Sequence, residues 1–273
     1  MPELPEVELA RRQLERWLDG RTVVRAEADK VRIFRGGDRD HFRKLTGKLE
    51  RAERRGKYLL LSFERDQGVM AHLGMTGKFL HKAKTDAVPW SRARLFLDDD
   101  SVVHYRDPRM FGQIVFAPAV GLKDLKAVAK LGIDPLTDGL TVAQLKEALS
   151  RTRLPLKVAL MDQTRVTGLG NIHAAEALFR ARLHPGRKPQ SLSDKEWRAL
   201  HQGIHAALQF ALKAEDDSEE ISYVEEPGAK NPFLIYGRAG TPCRRCKTKV
   251  KSFTQAGRTT HFCPSCQPKR GTK

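Results

Sequence analysis

Apolar positions along this chain change their spacing twice, and each change marks a change of architecture. Between residues 3 and 18, Val7, Ala10, Leu14 and Trp17 fall on one face at helical spacing, and Gly20 supplies a stop signal. From about residue 21 to residue 118 the pattern becomes short β-rich runs, at 22–24, 58–63, 69–72, 94–97, 102–105 and 113–116. Turn formers at 66–68 and 98–101 separate them, which predicts an antiparallel sandwich or barrel. Beyond Pro118 helical spacing returns over 122–131, 142–150, 156–166, 172–183 and 194–213, the last opened by a Ser193/Glu196 capping box. There is no internal repeat. The fold class is α+β multidomain, with regions at 1–118, 119–234 and 235–273 and the first boundary near 118–135.

The final stretch, 241–273, has nine Lys/Arg and no Asp/Glu, and it holds all four cysteines. Cys243, Cys246, Cys263 and Cys266 are arranged as C-x2-C, sixteen intervening residues, C-x2-C. Two thiolate pairs on tight turns complete a tetrahedral shell, so the spacing suits one structural zinc ion. A disulfide pair is the alternative, but neither a secretory signal nor a cysteine-dense framework accompanies it. Four thiolates leave no open coordination position, which gives the metal a structural role. Between the pairs, 249–254 and 259–262 read as the strands of a hairpin finger, with Arg258 at or beside its tip.

Charge adds a partner. Fifty Lys+Arg against 33 Asp+Glu give a net charge of +17, a surplus suited to a polyanion such as DNA or RNA. The longest apolar runs, such as 58–61, are far too short to span a bilayer, so no membrane is expected. Glu3, Glu6 and Glu8 occupy the place where a signal peptide would need basic and then apolar residues, and the expected location is cytoplasmic.

The opening Met1–Pro2–Glu3–Leu4–Pro5–Glu6–Val7–Glu8 is chemically unusual. Removal of a methionine before a small residue would expose Pro2 as a secondary amine. An α-amino group has a reference pKa of about 8, against about 10.4 for lysine, so an appreciable fraction is unprotonated near neutrality. Such an amine can attack a sugar aldehyde carbon and form an iminium, with Glu3 and Glu6 beside it for proton transfer. Taken alone, proline at a first helical turn is also a good helix starter, and both readings stand at this point.

The opening does not stand alone. Together with Y-G-R before the first cysteine pair and G-R-x3-F-C-x2-C at the end, it resembles the formamidopyrimidine-DNA glycosylase / endonuclease VIII family. Gly56–Lys57–Tyr58, His72–Leu73–Gly74–Met75–Thr76–Gly77, Tyr105–Arg106–Asp107–Pro108–Arg109–Met110–Phe111–Gly112 and Gly168–Leu169–Gly170–Asn171 agree in order and spacing over nearly the whole chain. The resemblance implies an N-terminal helix on a β-sandwich, a helical domain with a helix–two-turn–helix motif at 167–171, and a zinc finger. It implies a monomeric, nucleoid-associated base-excision repair enzyme that flips damaged nucleotides out of double-stranded DNA. Pro2 would form a Schiff base with C1′, Glu3 would move protons at the sugar, Glu6 would organise water or the Pro2 environment, and β,δ-elimination would follow.

The same resemblance makes Lys57 a phosphate and substrate contact, although a lysine there also suits a strand edge. Asn171 and Arg258 would grip the phosphates flanking the flipped nucleotide. His72, Lys157 and Tyr236 are further phosphate-side candidates that read equally as surface or packing. Met75, Arg109 and Phe111 would fill the gap left by the extracted base; composition alone would put Met75 and Phe111 in the core. One segment departs from the pattern. Where relatives that prefer oxidised purines carry a Gly/Ser/Thr-rich loop, residues 214–228 contain seven carboxylates within 215–226. These carboxylates either face solvent or reshape the pocket, and they leave open an abasic-site lyase or a damage-binding protein with altered or lost base excision.

Overall fold

A computed structural model describes residues 2–35, 37–214 and 220–269. These form two units: the chain up to Lys130 together with 220–226, and Leu131–Ala214 with the chain from Pro227 onward. The acidic segment read at 214–228 therefore lies partly outside the described residues, at 215–219, and its remainder from 220 to 226 belongs to the first unit.

In the first unit helix α1 (Leu4–Leu18) buries Leu4, Val7, Ala10, Leu14 and Leu18. Trp17 stays half-buried, stacked on His81. Eight strands follow, interrupted by a short helix α2 (Asp38–Phe42). They are β1 (Thr22–Ala28), β2 (Gly47–Arg55), β3 (Tyr58–Phe63), β4 (Gln67–His72), β5 (Lys78–Ala83), β6 (Ser91–Leu97), β7 (Ser101–Arg106) and β8 (Gln113–Pro118). The order is β5-β7-β6-β1-β2-β3-β4-β8, antiparallel throughout. At the centre, β1 and β2 pair only through Thr22↔Lys48 and Val23↔Gly47, with a register shift in each strand just beyond. Bulges bend strands, so the sheet folds there into two layers. Leu61, Val69 and Ile114 of one layer and Phe79, Leu95 and Val103 of the other line a common apolar interior, giving the expected sandwich.

The helix expected over 122–131 is instead a 3₁₀ turn (Ala119–Asp124) and a single turn α3 (Lys126–Ala129). Leu125, with ψ 128, separates them and accepts the first amides of the second turn.

The second unit has α4 (Val142–Ser150), α5 (Leu156–Leu160), α6 (Asn171–Arg180) and α7 (Asp194–Ala214), then the hairpin β9 (Lys251–Gln255) and β10 (Arg258–Phe262). α7 opens with the expected capping box: Ser193 N donates to Glu196 Oε2 at 2.9 Å, and Glu196 N to Ser193 Oγ at 3.4 Å. The helix expected over 156–166 ends at Leu160 because the Gln163 side chain competes for the backbone that follows. Its Nε2 donates to Met161 O and Leu169 O, both at 2.8 Å, and its Oε1 accepts Gly168 N at 2.9 Å. That amide holds the two tight turns leading into α6, and Gly168 takes φ +89 between them.

Candidate active site and nucleic-acid interface

Pro2 is buried and directly precedes the N-cap of α1. Glu3, with no exposed surface, accepts the backbone N–H of Glu6, while Glu6 Oε2 accepts Glu3 N at 2.9 Å. The two carboxylates next to Pro2 are thus fixed by the start of the helix itself. One turn on, Glu8 pairs with Arg54, whose side chain is fully buried, at 3.2 Å, and Arg54 Nη1 reaches Gly56 O at 3.0 Å. Burial opposes ionisation of Glu8, but Arg11, Arg54 and Arg12 outweigh it and hold its carboxyl below the usual range. Sequence reading missed this pair, which ties α1 to the turn carrying Lys57.

Lys57 is half-buried between β2 and β3, and its neighbour Tyr58 faces His72 across β3 and β4. Burial, reinforced by the Lys57 charge, pushes His72 down to about 4. Its Nδ1 accepts Gly74 N at 3.1 Å, so the neutral ring carries its proton on Nε2. His72 offers a neutral donor, not a cation.

Met75 and Phe111 are 38% and 46% exposed, and Arg109 is exposed as well. Large apolar side chains left outside in this way mark a contact surface when they cluster. They do: the turn 73–77 and the loop 107–112 are joined by buried Asp107, which accepts Thr76 Oγ1 at 2.7 Å and Gly112 N at 2.8 Å. A Cβ on Gly74 would stand 2.4 Å from the Phe111 backbone, and Gly74 sits at φ +63, so glycine is required at this approach. Arg32, another residue missed in the sequence, donates to Arg109 O at 2.7 Å and Met110 O at 2.8 Å. The Arg109 guanidinium lies 4.7 Å from the Phe111 ring centre.

The second unit brings together Asn171, Lys157 and the hairpin. Lys157 is 1% exposed, and its ammonium donates to Asn171 Oδ1, to Thr260 Oγ1 at 2.8 Å and to Thr259 O at 3.5 Å. Asn171 is the first residue of α6, where helix amides and the macrodipole favour an anion. Arg258, exposed, begins β10 just after the Ala256–Gly257 turn. Side chains two apart share a face of a strand, so Arg258 leaves the hairpin on the side where Thr260 meets Lys157. Tyr236 is half-buried with its ring 5.4 Å from His261. Its position depends on Glu176, a buried carboxylate of α6 that accepts the amides of Leu234, Ile235 and Tyr236 at 3.1, 2.7 and 3.1 Å.

The four cysteine sulfurs lie within 4.8 Å of one another. Ligands about 2.3 Å from a tetrahedral zinc ion stand about 3.8 Å apart, so the set fits that metal. The Cys246–Cys263 sulfur separation of 3.4 Å is not a disulfide. The amides of Arg245 and Cys266 point at Cys243 and Cys263 sulfurs, each at 3.4 Å, as donors that stabilise thiolates. Burial and the neighbouring thiols push Cys266 up to about 12, while hydrogen bonds with Thr248 bring Cys246 down to about 6, so the four do not ionise alike without a cation. One structural zinc ion relieves this. Beneath it, Cys243, Val250 and Cys263 pack with Ala175 and Phe179 of α6, which supplies the core the finger lacks.

Matches to known proteins follow this geometry along the chain. The formamidopyrimidine-DNA glycosylase N-terminal domain matches residues 1–114, the formamidopyrimidine-DNA glycosylase H2TH domain 131–222, and the zinc finger found in FPG and IleRS 240–269. Formamidopyrimidine-DNA glycosylase of Heliobacterium modesticaldum is 38% identical over 277 residues, covering 98% of this chain and 100% of its own. The Bacillus subtilis protein of that name is 39% identical over 280 residues, covering 99% and 100%. Among solved structures, the MutM (Fpg) protein of Thermus thermophilus aligns with a TM-score of 0.83 at 33% identity, over 99% of this chain and 100% of that one. Lactococcus lactis Fpg in complex with abasic-site DNA gives 0.87 at 30%, over 98% and 100%. No helix among the described residues is long and apolar enough to cross a membrane. With sandwich, two-turn motif and four-cysteine finger matched in order along nearly its whole length, the chain belongs to the formamidopyrimidine-DNA glycosylase family.

Proposed function

We propose that this DNA glycosylase and abasic-site lyase starts its chemistry at the nitrogen of Pro2, freed by loss of Met1. Its substrate is damaged duplex DNA, in which the target nucleotide is flipped out because C1′ is unreachable inside the stack. The Pro2 nitrogen bonds to C1′, the damaged base leaves with its bonding electrons, and Glu3 delivers a proton to the ring oxygen as the sugar opens. The resulting iminium acidifies C2′; loss of that proton expels the 3′ phosphate, and a second elimination expels the 5′ phosphate. Hydrolysis then returns the free amine. Glu6 orders water beside Pro2.

Lys57, His72 and Tyr236 contact phosphate and substrate, and Asn171 and Arg258 grip the phosphates flanking the lesion, with the Lys157 charge behind them. Met75 and Phe111 fill the vacated stack while Arg109 meets the widowed base. The regions 1–118, 119–234 and 235–273 divide this work between catalysis, phosphate grip and finger, in a cytoplasmic enzyme on the nucleoid. Oxidised and ring-opened purines are the first-choice lesions.

The observation that carries this reading is the burial of Pro2 against a helix start where the Glu3 and Glu6 carboxylates each accept the other residue's backbone N–H. An amine there lies beside two fixed carboxylates that can take up and return its proton. Borohydride added during incubation with lesion-containing duplexes is expected to trap a covalent adduct on both damaged-base and abasic DNA. Pro2→Gly is expected to lower trapping by about 10²-fold or more, the scale of a lost positioned group. Full turnover by that variant would refute the assigned nucleophile, and trapping on abasic DNA alone would refute base excision.

A further inference from the structure

We propose that Lys78 is a positioning residue that clips residues 220–226 onto the turn carrying Met75 and so presents them as a preformed wall for the extracted base. This rests on the reading of Met75 given above and deepens it.

Lys78 is the first residue of β5, and its side chain is only 3% exposed. Its ammonium has three protons to place. Nζ stands 2.9 Å from Glu226 Oε1, 3.0 Å from Glu220 Oε1 and 3.0 Å from Ile221 O. The Tyr223 ring centre lies 5.1 Å away, and the Tyr223 hydroxyl donates to Gly77 O at 2.6 Å. Ile221 and Tyr223 are each 3% exposed, whereas Ser222 between them is exposed and Val224 half-exposed. The segment thus alternates like a strand, two side chains locked inward and the intervening ones turned out.

A buried ammonium without partners is costly, and acceptors for all its protons offset much of that cost. That requirement gives two of the acidic residues a purpose: Glu220 and Glu226 are turned toward Lys78, whose charge offsets theirs. The same turn is held from its other side by Thr76 on Asp107, the residue that also fixes the Arg109–Phe111 loop. One turn therefore joins three parts: the Met75 wedge, the loop bearing Arg109 and Phe111, and the 220–226 segment. A base drawn from the gap that Met75 fills leaves beside this turn, and the outward Ser222 and Val224 are the side chains placed to meet it.

The clip should then matter for releasing a base and not for cleaving a sugar that has already lost one. Lys78→Met keeps the length of the side chain and removes the charge. In single-turnover assays it is expected to slow release of a damaged base by about tenfold or more, the scale of one charge-assisted hydrogen bond. Cleavage of a preformed abasic duplex should stay within about twofold. Tyr223→Phe, a milder change that guards against misfolding of the first variant, should move base release in the same direction. Amide exchange at 220–226 should quicken in Lys78→Met. Parallel loss of both activities in folded variants, or no change in either, would overturn the wall, and unchanged exchange would overturn the clip. Failure of the native protein to trap on any duplex would instead count against the Pro2 chemistry, with the exchange result still deciding the clip.

Discussion

The two units hold the residues proposed to meet DNA in opposite ways. In the β-rich unit Met75, Arg109 and Phe111 are left in solvent, and the buried polar group that fixes them, Asp107, is a different residue. In the helical unit Asn171 and Lys157 are themselves buried and bonded to each other and to the hairpin. On the proposed roles, a wedge that enters a base stack has to be exposed, so its support is delegated. The proposed phosphate grip needs fixed donors near a helix start, so support and function would coincide there. The comparison predicts that function and stability separate by mutation in the first unit and fall together in the second.

The largest effect should come from the metal. Apparent binding free energies for structural zinc in small fingers run to about 10–16 kcal/mol, far above what the few apolar residues of this finger contribute. Chelation is expected to abolish amide protection across β9 and β10 and to release Arg258 from its face, while protection in β3 and β4 persists. Exchange in the hairpin that ignored the chelator would break the claim that the second unit couples grip to folding.

A smaller test of the same claim is Lys157→Met. It leaves Asn171 Oδ1 and Thr260 Oγ1 without their buried donor, at a cost of about 1–3 kcal/mol. Duplex affinity should drop together with the unfolding midpoint, and nearly equally for every lesion, as phosphate contacts do. Loss of affinity at unchanged stability would show instead that Lys157 acts on DNA directly.

Much of this arrangement was legible in the sequence, and the omissions share a cause. The cysteine spacing, the α7 capping box and the strands at 58–63 and 102–105 follow local rules, and the structure keeps them. Strands β2 and β5 were missed because an inward position in each is a cation. Arg54 is buried on Glu8, 46 residues away, and Lys78 on Glu220, 142 residues away. Pattern reading places charge outside, and only a distant carboxylate reverses that. The same blindness left the acidic segment without a partner. Overlong helices at 122–131 and 156–166 have the converse origin: apolar spacing persists while Leu125 or the Gln163 amide takes the backbone elsewhere.

The smallest change in stability should accompany Met75→Ala, and it sharpens the contrast most. A methionine in a closed core would lose about 2–5 kcal/mol on truncation through lost burial and the cavity left behind. At 38% exposure, on a turn held by Thr76, Asp107 and the close passage of Gly74 under Phe111, its side chain contributes little to the fold. The expected shift is within about 0.5 kcal/mol, as for ordinary surface positions. Extraction of a paired base is another matter, since unstacking costs a few kcal/mol and the wedge recovers part of it. Base release from duplex DNA should therefore slow by about tenfold, while cleavage of a flexible abasic site changes less. Thermal unfolding and single-turnover base release on the same preparation check this directly. A melting point that falls by the amount expected of a core residue, with release falling in step, would show that the first unit binds function to stability as tightly as the second.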